Sequence, residues 1–118
     1  MYEYQATLIE VVDGDTVKLD VNFGFSIRQR MSLRLYGIDA PEMVGATKTA
    51  GEAAKAYLIL LLNPGVPGLP VRLKTFKDKA DKYGRILAEI YCPWDAPSPV
   101  NQLMIDAGHA VAYFGGQR

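Results

Sequence analysis

The chain has 118 residues, 49% of them apolar, and its 13 basic side chains balance 13 acidic ones to a formal net charge of zero. That length fits a single domain over residues 1–118 with a real core, and neutrality excludes a protein that holds long nucleic acid by charge alone. No apolar run is long enough for a membrane-spanning helix, and the lone cysteine, Cys92, excludes an internal disulfide. Met1-Tyr2-Glu3-Tyr4-Gln5 lacks the basic-then-apolar pattern of a secretory signal, so a cytoplasmic setting, in a phage or mobile element among others, is the expectation.

Residues 4–12 are rich in strand formers and stop at Asp13-Gly14, a hairpin signal. Thr16 to Asn22 alternates, with Val17, Leu19 and Val21 on one face, and Phe23-Gly24-Phe25 reads as the next turn. Ile27 to Tyr36 alternates again: Met31, Leu33 and Leu35 point one way, and Arg28, Arg30, Arg34 and Tyr36 the other. Thr49 and Glu52 have the spacing of a capping box, and the helix formers that follow run to Leu62 before Asn63-Pro64-Gly65. A Pro- and Gly-rich connector leads to Pro70. Val71 to Phe76 and Ile86 to Tyr91 read as strands flanking a polar loop, Lys77 to Arg85. Ser98-Pro99 opens a short helix with Val100, Leu103, Met104 and Ala107 on one face and Gly108 as its stop.

The order β-β-β-α-β-β-α predicts an OB-fold: an α+β protein built as a five-stranded Greek-key β-barrel with helices. That fold alone implies binding of nucleic acid or sugar, not catalysis. Six of the 13 basic residues fall between Arg72 and Arg85, a local basic patch in a neutral chain.

Charged residues gather at three strand edges: Val12-Asp13-Gly14-Asp15-Thr16, Arg34 to Glu42, and Asp81-Lys82-Tyr83-Gly84-Arg85. Each alone reads as an ordinary turn or solvated loop. Together they read differently. Asp15 and Asp39 can meet if the second and third strands are neighbours, and would offer Ca²⁺ hard oxygen ligands, completed by a backbone carbonyl and waters. Glu42 lies just beyond, placed to hold or deprotonate a water. Arg34 and Arg85 can clamp a phosphate through their planar forks. A divalent cation, a carboxylate and two guanidiniums make a phosphodiesterase set.

Val-Asp-Gly-Asp-Thr at 12–16, Arg-Leu-x-Gly-Ile-Asp-Ala-Pro-Glu at 34–42 and Asp-Lys-Tyr-Gly-Arg at 81–85 closely resemble the three signatures of the staphylococcal (micrococcal) nuclease, or thermonuclease, family. The resemblance extends to Val100-Asn101 and Ala107-Gly108 and spans about residues 6 to 113. It implies a calcium-dependent nuclease acting on DNA or RNA, with single strands favoured. Such enzymes cleave the 5′ P–O bond, leaving a 3′-phosphate and a 5′-hydroxyl. Asp15, Asp39 and the backbone carbonyl of Ala40 match the calcium ligands, and Glu42 the general base. Arg34 and Arg85 match the phosphate-binding arginines, while Lys82, Tyr83 and Tyr113 match residues that contact the nucleotide. The family's well-known members are strongly basic, which this chain is not, and a monomer is the expected assembly.

The alternative is a non-catalytic OB module that binds single-stranded nucleic acid or a protein motif. Retention of all five charged site residues favours catalysis. His109, at a helix end, reads as structural. Trp94 reads as a packing residue, Cys92 as a small buried hydrophobe, Met31 and Met104 as core, and Asp13 as a turn former.

Overall fold

A strand that buries one face needs apolar residues at every second position, and the first three strands meet that condition. In a computed structural model, which describes residues 2–62, 70–80 and 84–113 with the backbone alone at 77–80, β1 (Tyr2–Asp13), β2 (Thr16–Gly24) and β3 (Ile27–Leu35) form an antiparallel meander. Val17, Leu19, Val21, Leu33 and Leu35 line its inner face and are buried. A short strand, β4 (Ile38–Asp39), precedes a 3-10 turn (Gly45–Thr47) and helix α1 (Lys48–Leu62). β5 (Pro70–Ala80) and β6 (Ile86–Tyr91) follow, then helix α2 (Val100–Asp106) and β7 (Val111–Ala112).

The expected barrel is present and closed, in the order β1-β2-β3-β6-β5, with β5 pairing back onto β1. Its β3–β6 seam is parallel and its other seams are antiparallel. Ala54 and Leu58 of α1 and Val100 and Met104 of α2 are buried in the same core cluster as the barrel interior. Closure matters to the site because it sets the start of β6, and with it Arg85, beside the end of β3.

Several local expectations need correction. The β2–β3 turn is Phe25-Ser26, not Phe23-Gly24-Phe25; both residues have positive φ, 54° and 65°, as a two-residue type I′ hairpin requires. α1 begins at Lys48, so Thr49 lies inside the helix and is not its cap. The preceding 3-10 turn feeds directly into it, and the Thr47 hydroxyl donates to the Glu42 carbonyl at 2.7 Å and the Val44 carbonyl at 3.3 Å. β5 runs beyond Phe76 to Ala80 through an irregularity in its pairing with β6. The two-stranded β4–β7 ladder is additional to the expected elements. The connector at 63–69 lies outside the described residues. Among the described residues no helix is long and apolar enough to cross a membrane.

Candidate active site

The site forms where the β1–β2 turn meets the exit of β3. Thr16 faces Arg34 across the β2–β3 pair, and the Leu35 N–H donates to the Asp15 carbonyl at 2.8 Å, so Asp15 and Arg34 share one edge. Asp13 shapes the turn: its Oδ1 accepts the Asp15 N–H at 3.0 Å. Burial pushes the Asp13 carboxyl above its ordinary pKa, and the neighbouring Asp15 adds to the rise. Gly14 is required here by crowding. A Cβ on it would sit 2.7 Å from the Ala40 Cβ and 2.8 Å from the Ala54 Cβ.

The Arg34 guanidinium holds two carboxylates at once. Its Nη1 lies 3.4 Å from Asp15 Oδ2 and its Nη2 3.3 Å from Asp39 Oδ1. Only 12% of the Arg34 side chain and 8% of the Asp39 side chain are exposed, so these charges interact through a medium less screening than water. Asp15 Oδ2 also accepts the Ala40 N–H at 3.0 Å, tying the turn to the β4 segment. Nη1 of Arg34 is buried and makes no hydrogen bond among the described residues. Its ion pair with Asp15 partly offsets the cost of leaving that donor without a hydrogen bond.

Arg85 enters from the other side. Its Nη1 donates to the Thr16 hydroxyl at 2.9 Å, and that hydroxyl lies 3.2 Å from Asp15 Oδ1. Asp15, Arg34, Asp39 and Arg85 thus converge from three separate stretches of chain. Tyr113 joins them: its N–H donates to the Gly37 carbonyl at 2.8 Å, and the Arg34 guanidinium lies 6.0 Å from its ring centre. Ala40 is buried at the same place. Glu42 is exposed just past it, on a strap that lies against Gly51 of α1, where an added Cβ would come within 2.6 Å of the Glu42 carbonyl oxygen. Lys82 and Tyr83 lie outside the described residues.

The profile of staphylococcal nuclease homologues matches residues 32–118, close to three quarters of the chain. The chain belongs to the staphylococcal nuclease homologue family. It is similar to the micrococcal nuclease of Shigella flexneri, 28% identical over 117 residues that cover 94% of this chain and 59% of that one. The thermonuclease of Staphylococcus hyicus is 30% identical over 114 residues, covering 91% of this chain and 58% of that one. Endonuclease YhcR of Bacillus subtilis is 29% identical over 120 residues, 95% of this chain but only 9% of that much longer one. The chain therefore spans less than two thirds of the length of these relatives.

Within this nuclease-homologue fold, three residues position the site without a role assigned by the motifs, although Thr16 and Asn101 lie within the quoted ones. Thr16 anchors Arg85; its place opposite Arg34, on the outer face of a strand, is the signal that could have found it. Asn101 is buried, and its side chain accepts the Ile90 N–H at 3.2 Å and donates to the Tyr36 and Ala88 carbonyls at 2.9 and 3.0 Å. It pins α2 to the β3–β6 seam. Gly51 hides in an ordinary helical stretch, and nothing local in sequence marks its contact with the strap.

The bland readings of His109, Cys92 and Met104 agree with the structure. His109 stacks at 4.8 Å on Tyr57, and Cys92 and Met104 are buried. Trp94 does not pack as expected: the residue is 44% exposed. The basic patch is only partly a patch. Arg72 donates to the Trp94 and Ala96 carbonyls, pairs with Glu3 and lies 4.1 Å from the Tyr91 ring centre. That arginine ties the barrel wall to the loop after β6.

Proposed function

We propose that this chain is a calcium-dependent nuclease that hydrolyses phosphodiester bonds of DNA and RNA, acting as a monomer. The observation that carries the reading is the Arg34 guanidinium held between Asp15 and Asp39 with Arg85 alongside on Thr16. A purely structural role gives little reason to concentrate these charges where they are largely shielded from water.

The donor chemistry fits a hard cation. Among the described residues no group of three or more His, Cys, Asp or Glu assembles into a metal cage. The available ligands are two carboxylates, Asp15 and Asp39, and the Ala40 carbonyl, with water to complete the shell. Calcium accepts such irregular oxygen sets, whereas magnesium demands near-ideal octahedral geometry. Bound there, calcium would supply positive charge beside the phosphate.

The chain's own residues account for the rest. Arg34 and Arg85 receive the phosphate oxygens through their planar forks. Water attack on phosphorus puts extra negative charge on the equatorial oxygens, where two guanidiniums stabilise it most. Glu42, exposed at the rim, takes the proton of the attacking water. Breaking the 5′ P–O bond leaves a 3′-phosphate and a 5′-hydroxyl. Lys82, Tyr83 and Tyr113 hold the nucleotide. Single strands are favoured because a phosphate must reach side chains as recessed as Arg34, which a rigid duplex presents less freely.

The test is cleavage of single-stranded DNA and RNA in calcium, magnesium or EDTA, with end-group analysis of the products. Calcium-dependent cleavage yielding 3′-phosphates is expected. Full turnover in EDTA would remove the metal from the reading, and no cleavage under any condition would leave the non-catalytic binding module.

A further inference from the structure

A groove of about 380 Å³ opens on the outside of the barrel, walled by Ile9, Glu10, Lys18, Arg30, Met31 and Ser32. Its volume lies within the range of small-ligand sites. Lys18 faces Ser32 in the same ladder in which Thr16 faces Arg34. Side chains two residues apart share a face, so the groove begins one pleat from the candidate site, on its side of the sheet.

The groove owes its shape to a bulge. Leu8 pairs with Leu19 and Glu10 with Lys18, which leaves Ile9 as the extra residue in β1. A bulge re-aims a side chain, and Ile9 is 41% exposed as a result. It gives the groove an apolar surface beside charged walls.

The cations nearby are unequal. Arg28 is held by Asp20 at 3.0 Å, Lys18 by Glu10 at 3.5 Å, and Arg34 by Asp15 and Asp39. Arg30 is exposed and makes no hydrogen bond or ion pair among the described residues. It sits on the same outer face of β3 as Arg34, four residues away, about 13 Å along an extended strand. An uncommitted guanidinium beside an apolar surface matches a nucleotide, whose phosphate takes the fork and whose base takes the hydrocarbon.

We propose that this groove is a nucleotide subsite: Arg30 binds a phosphate of the same strand whose scissile phosphate lies at Arg34 and Arg85, and Ile9 carries the adjoining base. The subsite rests on the nuclease reading for its substrate. It makes the enzyme prefer strands long enough to reach both places.

Oligothymidylates of two and eight nucleotides separate the two ideas. Affinity is measured by fluorescence anisotropy in EDTA, and cleavage separately in calcium. The parent protein should bind the longer strand more tightly, and Arg30→Gln should weaken that strand by about tenfold and lower the slope of log affinity against log salt by about 0.7. The two-nucleotide strand should lose far less. Ile9→Ser should weaken the eight-nucleotide strand about threefold and affect an abasic strand of equal length less. Thermal melts confirm that both variants, altered at exposed positions, are folded. No gain of affinity with length, or a gain that survives Arg30→Gln, overturns the subsite. Equal effects of Ile9→Ser on normal and abasic strands overturn its base contact. Because the binding is read in EDTA, absence of cleavage refutes the nuclease reading alone, while anisotropy still decides the subsite.

Discussion

Gly51→Ala should damage catalysis far more than stability. The new Cβ would lie 2.6 Å from the Glu42 carbonyl oxygen, 2.7 Å from the Glu42 carbonyl carbon and 2.8 Å from the Pro41 carbonyl oxygen. These are backbone atoms, so no side-chain rotation relieves the clash. Ordinary contact begins near 3.4 Å, and one side must retreat by about 0.8 Å to reach it. The helix is pinned, because Ala54 and Leu58 of α1 are fully buried; the strap from Asp39 to Glu42 yields instead. Overpacking costs about 1–3 kcal/mol, while replacing a helical glycine with alanine returns at most about 1 kcal/mol, less in the first turn where Gly51 lies. The net loss of stability is therefore at most about 3 kcal/mol, and the protein is expected to stay folded. A reacting group misplaced by about 1 Å costs on the order of 10² in rate, so kcat should fall by about that factor. Steady-state kinetics on a short single-stranded oligonucleotide gives kcat, calorimetry gives calcium affinity, and a thermal melt gives the fold. A folded Gly51→Ala enzyme with kcat within about twofold of the parent, a difference of less than half a kcal/mol in barrier, would show that the strap's position does not set the chemistry.

Arg34→Lys and Arg85→Lys should each lower kcat by about 10²–10³ with KM changed much less, since lysine keeps the charge but loses the fork; near-parental kcat in a folded variant removes that arginine from the mechanism. Asn101→Ala strands the buried Ile90 N–H and should lower stability by about 1–3 kcal/mol in urea unfolding; an unchanged midpoint would show that water replaces the amide. Burial pushes the Cys92 thiol above its ordinary pKa, and the reactive species is the thiolate, which forms only as pH rises past that pKa. Alkylation by iodoacetamide near pH 8 should therefore be slow in the native protein and rise sharply on denaturation; equal rates would contradict the burial. Phe25→Asn with Ser26→Gly relieves two positive-φ positions in the β2–β3 turn and should stabilise by about 1–2 kcal/mol, read as a raised melting temperature; a lowered one would show that the exposed Phe25 ring contributes to folding.

The barrel strands were legible because burying one face imposes a two-residue rhythm, and Val17-Leu19-Val21 and Leu33-Leu35 carry it openly. The convergence of Asp15, Arg34, Asp39 and Arg85 was legible only through the joint presence of three motifs, each an ordinary turn by itself. The parallel seam between β3 and β6 was hidden, since strand pairing across a closed barrel depends on contacts distant in sequence. Thr49 misled because a capping box is a local pattern, and the preceding 3-10 turn overrode it. Gly14 looked like a turn former chosen for its backbone and proved to be one chosen for lack of a side chain. Gly51 acts through a tertiary contact that no nearby residue announces, and Asn101 stood in a quoted motif that gave no hint of its three bonds.

The Arg85–Thr16 hydrogen bond joins residues 69 apart in the chain, and the Asn101–Tyr36 bond residues 65 apart. Contacts of such long range must overcome the loop-closure entropy of the intervening chain before they can form. A refolding chain can therefore regain its meander and its helices while Arg85 is still far from Arg34. Recovery of phosphate binding should lag recovery of helical signal after dilution from denaturant, making the site a clock for barrel closure. A partly unfolded chain carries every charged side chain of the site yet holds none of its geometry.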